Sequence, residues 1–186
     1  MKTRLLMLSI AMSCALSNAA FAMDKVEYKA QKDTISGDYK VNRDNCNSLK
    51  ANAKDICVVQ AKGTEKVAKA KLEADYQPSA RHDEKLSLAR GNADYDTAKE
   101  KCDDASGNAK TVCKKEAKAA YVTVKDEARV ARLSAESGKI NTGARSMANK
   151  DENEANYKVA IARCDAMAGA TKDACAAQAR AKFGMK

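Results

Sequence analysis

Large apolar and aromatic residues are scarce in this sequence. Its 186 residues include no tryptophan, two phenylalanines, one proline and one histidine, and aromatic residues make up 4% of the chain. From residue 23 onward, Leu, Ile, Val and Phe together number 20, whereas alanine alone supplies 32 residues. Because alanine buries little area, a large hydrophobic core is excluded, and another interaction must stabilise the chain.

Sequence signatures of enzymes are also missing. There is no glycine-rich phosphate loop, no HExxH motif and no GxSxG motif. The single imidazole, His82, lies in a polar run and is interpreted as an exposed residue at a helix start. No C-x2-C spacing occurs and His82 is far from every cysteine, which disfavours zinc and thioredoxin-like sites. We therefore expect a protein that is not an enzyme and holds no cofactor or metal.

The first 22 residues have the features of a signal peptide. Lys2 and Arg4 precede a mostly apolar run at residues 5–16, and residues 20–22, Ala-Phe-Ala, match the small-x-small pattern that signal peptidase accepts. The apolar run is too short to span a bilayer. We expect cleavage after Ala22 and a periplasmic or secreted protein.

A second reading of this segment makes the chain a lipoprotein anchored at Cys14. Residues 11–14, Ala-Met-Ser-Cys, loosely resemble a lipobox. The usual leucine three residues before the cysteine is missing, so this is the weaker alternative. No later stretch is apolar enough to enter a membrane.

The charge of the chain after residue 22 is basic but mild. It has 32 basic and 25 acidic residues, interleaved along the sequence. Such mixing is typical of a solvated helical surface, and no one-sided basic stripe is evident. Nucleic acid is therefore not the expected partner.

Apart from Cys14, the cysteines form three pairs with one spacing. An even number of cysteines in an exported chain indicates disulfides. Each pair reads C-x10-C, and the pairs are Cys46 with Cys57, Cys102 with Cys113, and Cys164 with Cys175. Disulfides are therefore the predicted stabilising element.

The pairs lie within a longer repeat. Three segments of similar sequence occupy residues 38–62, 94–118 and 156–180. In each, a tyrosine precedes the first cysteine by seven residues, and a lysine precedes the second by three. The tyrosines are Tyr39, Tyr95 and Tyr157, and the lysines are Lys54, Lys110 and Lys172. Agreement of this kind indicates a repeated structural unit.

Each unit is predicted to be an antiparallel helical hairpin. The flanks are rich in Ala, Lys, Glu and Arg, which favour helix. Gly107 and Gly169 are predicted to end the first helix, with Asn108 or Thr171 capping the second. The first unit has no such glycine, so Asn52 must make its turn. The two cysteines are then equidistant from the turn and face each other.

Aromatic positions support this register. Tyr95 lies seven residues before Cys102, and Tyr121 lies eight after Cys113, so the two rings should meet across the hairpin. Tyr157 and Phe183 have the same relation to the third pair of cysteines. In the first unit, Thr64 and Glu65 stand opposite Tyr39.

The predicted fold is all-α, with three disulfide-stapled antiparallel helical hairpins that are elongated or loosely bundled. The signal peptide occupies residues 1–22, and the hairpins occupy residues 23–77, 78–138 and 139–186, the last with a linker. Ser79 should cap the third helix, which is expected to reach Ser106. A looser stretch is expected around Gly138 and Gly143.

The pattern D-Y-x6-C-D-x3-G-N-A-K-x2-C-x2-E-A-K, seen best in residues 94–118, resembles that of an uncharacterised protein family. Its members are exported Lys/Ala-rich proteins of Gram-negative bacteria with C-x10-C repeats, sometimes labelled TolA-like cell-envelope proteins. The resemblance covers nearly all of the chain after residue 22. It implies a place in the cell envelope and assigns no chemistry to the motif.

Three functions remain open at this point. The first is a non-catalytic periplasmic structural or interaction protein with a role in envelope maintenance, whose partner is an envelope protein. The second is a basic module that binds an anionic envelope component such as lipopolysaccharide, anionic lipid or nucleic acid. The third is a metal or redox protein that uses the cysteine pairs. Asp103, Asp104 and Asp165 follow cysteines and could bind a cation, but we interpret them as lysine partners.

Overall fold

The computed structural model describes residues 23–185, and its regular structure is helical throughout that range. The predicted signal peptide and Cys14 lie outside these residues. Six α-helices account for most of the described chain, which confirms the all-α prediction. They are α1 (Lys25–Asn45), α2 (Ala51–Tyr76), α3 (Ala80–Lys101), α4 (Gly107–Ser137), α5 (Thr142–Cys164) and α6 (Gly169–Phe183). None of the helices in residues 23–185 combines the length and the hydropathy that a membrane-spanning segment needs.

The helices form an open row. Each helix packs antiparallel against the helix before it and the helix after it, and contacts between other helices are minor in the described chain. The packing between hairpins, α2 against α3 and α4 against α5, is as extensive as the packing within them. The three hairpins therefore form one continuous row, with all three disulfide turns at one end and the other two connections at the opposite end.

Small residues make up the interior of this row. Of the thirteen buried apolar residues in the described chain, seven are alanines and three are cysteines, which leaves Leu72, Val130 and Val159 as larger ones. The scarcity of large apolar residues in the sequence is thus reflected in the fold. Little apolar area is buried, so hydrophobic burial contributes less here than in a typical domain.

Two glycines let the central helices approach closely. A Cβ atom added at Gly63 in α2 would lie 2.8 Å from the Cβ atom of Ala93 in α3. One added at Gly91 in α3 would lie 2.8 Å from a methyl carbon of Val124 in α4. At these points the backbone of one helix packs directly against a side chain of the next, Ala93 in one case and Val124 in the other.

Several predicted helix boundaries are confirmed at the connections between hairpins. The Ser79 hydroxyl accepts a hydrogen bond from the His82 amide at 3.2 Å and caps α3. Gly138, with φ of 68°, ends α4. The loose stretch predicted at Gly143 is wrong, because Asn141 caps α5 by accepting from the Ala144 amide at 2.9 Å.

The disulfide turns differ from the prediction. Gly107 and Gly169 are left-handed, with φ of 55° and 56°, but they begin α4 and α6 and do not end the helices before them. The preceding helices stop earlier than predicted, α3 at Lys101 rather than Ser106, because a tight turn starts at the first cysteine of the pair. Asn108 and Thr171 make no capping bond; Ser106 and Ala168 occupy the cap positions.

In the first hairpin, Ala51 takes the left-handed conformation that glycine has in the other two, with φ of 48°. The prediction that Asn52 makes this turn is therefore wrong. Its side-chain amide donates instead to the Glu100 carbonyl oxygen at 2.9 Å and to an oxygen of Asp104 at 2.8 Å. Asn52 thus joins the turns of the first and second hairpins.

Because Ala51 is left-handed, exchange between alanine and glycine should change the stability of the fold in opposite directions in two equivalent turns. Ala51→Gly should raise the free energy of unfolding by about 1 kcal/mol, because it removes the contact between Cβ and the backbone in this conformation. Gly107→Ala should lower the free energy of unfolding by about the same amount, because it introduces that contact between Cβ and the backbone. The new Cβ atom would have no other neighbour within 4 Å, so no packing effect adds to this cost. Urea unfolding of both variants is the measurement, and a shift of the same sign in both would contradict this account of the turn.

Close helix packing predicts a second contrast between glycines. Gly63→Ala should lower the free energy of unfolding by about 1 kcal/mol or more, because the new Cβ atom meets Ala93 in α3. Gly37→Ala is the matched control in α1, where a Cβ atom has nothing within 4 Å, and should raise it by about 0.5–1 kcal/mol. Thermal unfolding of the two variants compares them directly, and equal stabilisation by both changes would argue against close contact.

Candidate functional site

The three disulfides link the cysteines that the sequence pairs. Their Cα atoms lie 5.6, 5.6 and 5.7 Å apart, within the usual range for a disulfide. The first cysteine of each pair is buried and the second is half-buried, so the bridges line the interface between paired helices. The disulfide prediction for Cys46, Cys57, Cys102, Cys113, Cys164 and Cys175 is confirmed.

One of the two predicted aromatic pairs is present. The ring centroids of Tyr95 and Tyr121 are 5.4 Å apart across the second hairpin. The pair of Tyr157 with Phe183 is not among the ring contacts of residues 23–185. Tyr157 instead lines a groove between α4 and α5, while Phe183 lines the groove between α5 and α6.

A third aromatic contact escaped the sequence analysis. Tyr28 stacks on Tyr76 with centroids 4.4 Å apart, and its hydroxyl donates to Glu73. This hydrogen bond, followed by burial, raises the pKa of Tyr28 above its ordinary value. The signal was available, because Tyr28 lies 18 residues before Cys46 and Tyr76 lies 19 after Cys57, which is the same mirror relation.

The carboxylates at the disulfide turns pair with lysines, as interpreted from the sequence. Asp103 lies 2.7 Å from Lys114 and 3.1 Å from Lys110, and Asp165 lies 2.9 Å from Lys172. Hydrogen bonds from Lys114 and then Lys110 hold the pKa of Asp103 below its ordinary value.

Neither these carboxylates nor the histidine belongs to a cluster of side chains that could bind a metal ion. Among the residues that the structure describes, no group of three or more His, Cys, Asp or Glu side chains is arranged to hold a metal ion. Asp104 accepts from Asn52 in the turn contact given above. His82 lies in the first turn of α3, with Nδ1 2.5 Å from the carbonyl oxygen of Gln77. This contact links the start of α3 to the connection between α2 and α3.

One face of α4 carries a basic stripe that the sequence analysis missed. Lys115, Lys118, Lys125 and Arg129 recur at spacings of three, seven and four residues, which places them on one side of the helix. The expectation that no one-sided basic stripe exists is therefore wrong for this helix. The signal was hidden because the acidic residues Glu116, Asp126 and Glu127 interrupt the basic residues along the sequence.

The basic stripe borders a groove between α4 and α5, which we name the α4–α5 groove. It has a volume of about 370 Å³. Its α4 wall bears Lys115, Lys118 and Lys125, and its α5 wall bears Asp151, Glu154 and Lys158 together with small apolar residues of both helices, Ala119, Val122 and Ala155. The Lys118 ammonium also lies 4.8 Å from the Tyr121 ring centroid, in a cation–π contact.

A buried carboxylate lies next to the stripe. The side chain of Asp126 is completely buried, and neither oxygen accepts a hydrogen bond from residues 23–185. Its nearest cations are Lys125 at 3.5 Å and Arg129 at 3.8 Å. Because a buried carboxylate needs opposite charge nearby, Asp126 holds Lys125, which lines the groove, and Arg129 close to itself. Nothing in the local sequence distinguishes it from the exposed acids of the same helix.

The fold and these contacts define a class of protein: a row of antiparallel helices cross-linked at one end by three disulfides. No protein-family model matches the chain, and no curated protein and no solved structure shows significant similarity to it.

The lysine contacts of Asp103 predict a measurable change in acidity. Lys110→Ala combined with Lys114→Ala should raise the pKa of Asp103 toward the ordinary value of about 3.9, since both hydrogen bonds are removed. The measurement is an NMR titration of the Asp103 carboxyl carbon, with Lys115→Ala as a control on the same helix that leaves the pair intact.

The sign of the linked stability effect follows from the lowered pKa of Asp103. A carboxyl whose pKa is lower in the folded state stabilises the fold above its unfolded pKa and loses that contribution as the pH falls through the folded pKa. Asp103→Asn should therefore reduce the difference between the free energies of unfolding at pH 7 and at pH 2. An unchanged titration of Asp103 in the double lysine variant would refute the pairing.

Proposed function

We propose that this chain is an exported, non-catalytic interaction protein of the bacterial cell envelope, which acts by binding partners along its helical faces. The observation that carries this proposal is the open row of six helices held by three disulfides. In a row of this kind, each helix packs on its neighbours with one or two sides, and the rest of its surface faces solvent. Repeated helical units that stack only on their neighbours offer extended binding surfaces in many proteins.

The disulfides support the location. Structural disulfides persist in oxidising compartments, such as the periplasm and the extracellular space, and are rare in the cytosol. The predicted signal peptide at residues 1–22 gives a route to such a compartment, and the resemblance to exported envelope proteins agrees with it.

The basic stripe favours a second candidate, in which the bound partner is an anionic component of the envelope. The sequence offered only net charge for this idea, whereas the fold gathers Lys115, Lys118 and Lys125 beside one groove. Binding of this type should weaken steeply as salt is added, since the Debye length falls from about 10 Å at 0.1 M to about 3 Å at 1 M.

The proposal is tested by expressing the full chain in a Gram-negative host and fractionating the cells. We expect the periplasmic fraction to contain a chain that begins at Met23, with all three disulfides present in a non-reducing peptide map. A version that starts at residue 23 without the signal peptide should stay in the cytoplasm with reduced cysteines. Retention of the full chain in the cytoplasm, or a turnover activity that depends on one side chain, would overturn the proposal.

A further inference from the structure

We propose that the α4–α5 groove binds a phosphorylated lipid of the envelope. In this arrangement the phosphate contacts Lys115, Lys118 and Lys158, and the alkyl part lies on the small apolar residues between the two helices. This inference rests on the proposed function, because it names the class of partner that one face of the row binds.

The three lysines lie toward the same end of the groove. Because α4 and α5 are antiparallel, Lys115 of α4 lies near Lys158 of α5, and both also line the adjoining groove toward the disulfide turns. Lys118 is one helical turn from Lys115. Two walls thus supply ammonium groups to one end of the groove, which suits a compact anionic group.

Two of these lysines have no acidic partner in the described chain. Lys115 and Lys118 are exposed, and neither forms an ion pair with a carboxylate of residues 23–185. Lys158 pairs with Glu154 at 2.6 Å, a contact between exposed side chains that a phosphate can displace. The Lys118 ammonium lies 4.8 Å from the Tyr121 ring centroid and 5.4 Å from that of Tyr95 in α3, so it must turn from these cation–π contacts to reach a phosphate in the groove. No buried ion pair is lost when positive charge gathers at this end.

The floor of the groove suits an alkyl chain. Ala119, Val122 and Ala155 lie between the charged walls, and their small side chains leave the volume of about 370 Å³ open. Each CH₂ group buried on such a floor strengthens binding about fourfold. A ligand with one anionic end and one apolar end matches this layout.

The acidic residues of the groove favour a lipid over a polyanion as the ligand. Asp151 and Glu154 stand on the α5 wall, and a nucleic acid that runs along the groove would bring its phosphates past both carboxylates. A lipid carries its charge at one end only, so it can occupy the lysine end and present its alkyl chain to the rest. The charge layout thus favours a phosphorylated lipid.

The test measures binding of the full-length exported protein to vesicles of phosphatidylglycerol in phosphatidylcholine by co-sedimentation at 50 mM salt. The site variant is the triple change Lys115→Gln, Lys118→Gln and Lys158→Gln. Its control removes the same charge from exposed lysines of α1 and α2, with Lys29→Gln, Lys40→Gln and Lys66→Gln. Circular dichroism and thermal unfolding confirm that both variants keep the fold.

We expect the site variant to bind on the order of a hundredfold more weakly, since each lysine near an anionic surface contributes about fivefold. The control should lose less than about fivefold, because its lysines act only through long-range charge. The double change Asp151→Asn and Glu154→Gln should strengthen binding several-fold, as it removes repulsion and frees Lys158. Vesicles of pure phosphatidylcholine should bind none of these proteins.

Three results would overturn the inference. Equal losses in the site and control variants would show that net charge alone attracts the vesicles. No binding by the natural protein at 50 mM salt would exclude an anionic lipid. Tighter binding of single-stranded DNA than of phosphatidylglycerol vesicles would assign the groove to a polyanion. None of these results touches the cell-fractionation test, so failure here and failure of the proposed function can be told apart.

Discussion

The fold depends on covalent links between antiparallel helices. Alanine-rich helices bury little apolar area against each other, and only Leu72, Val130 and Val159 add larger buried aliphatic groups in the described chain. Each disulfide closes a loop of about 12 residues, which on the chain-entropy model stabilises the fold by about 2.8 kcal/mol. Three such links contribute on the order of 8 kcal/mol, which is comparable to the net stability of a whole domain.

The links also explain the shape of the molecule. A disulfide fixes a hairpin at one end, Gly91 lets the two helices of the second hairpin approach closely, and Gly63 with Ala93 lets the first and second hairpins pack closely without a shared core. A row is the result, since in residues 23–185 each helix packs on its neighbours along the sequence and contacts between other helices are minor. Such a row leaves helical faces free, and the basic stripe of α4 lies on one of them.

Sequence analysis predicted the helices, the hairpins and all three disulfides, because fixed cysteine spacing and mirrored tyrosines depend only on helix geometry. It placed helix ends wrongly where a cysteine begins a tight turn, and it gave Asn52 the role that Ala51 performs. It also missed the stripe on α4 and the burial of Asp126. Those features depend on which face of α4 meets α5, and interleaved charges do not reveal that choice.

The most direct test of this account is urea unfolding of the exported protein before and after reduction of its three disulfides, with alkylation to confirm six free thiols. The account predicts that the oxidised chain unfolds cooperatively, whereas the reduced chain is destabilised by about 8 kcal/mol and loses most of its helical circular dichroism in buffer. A reduced and alkylated chain that keeps the helix content and urea midpoint of the oxidised protein would contradict it.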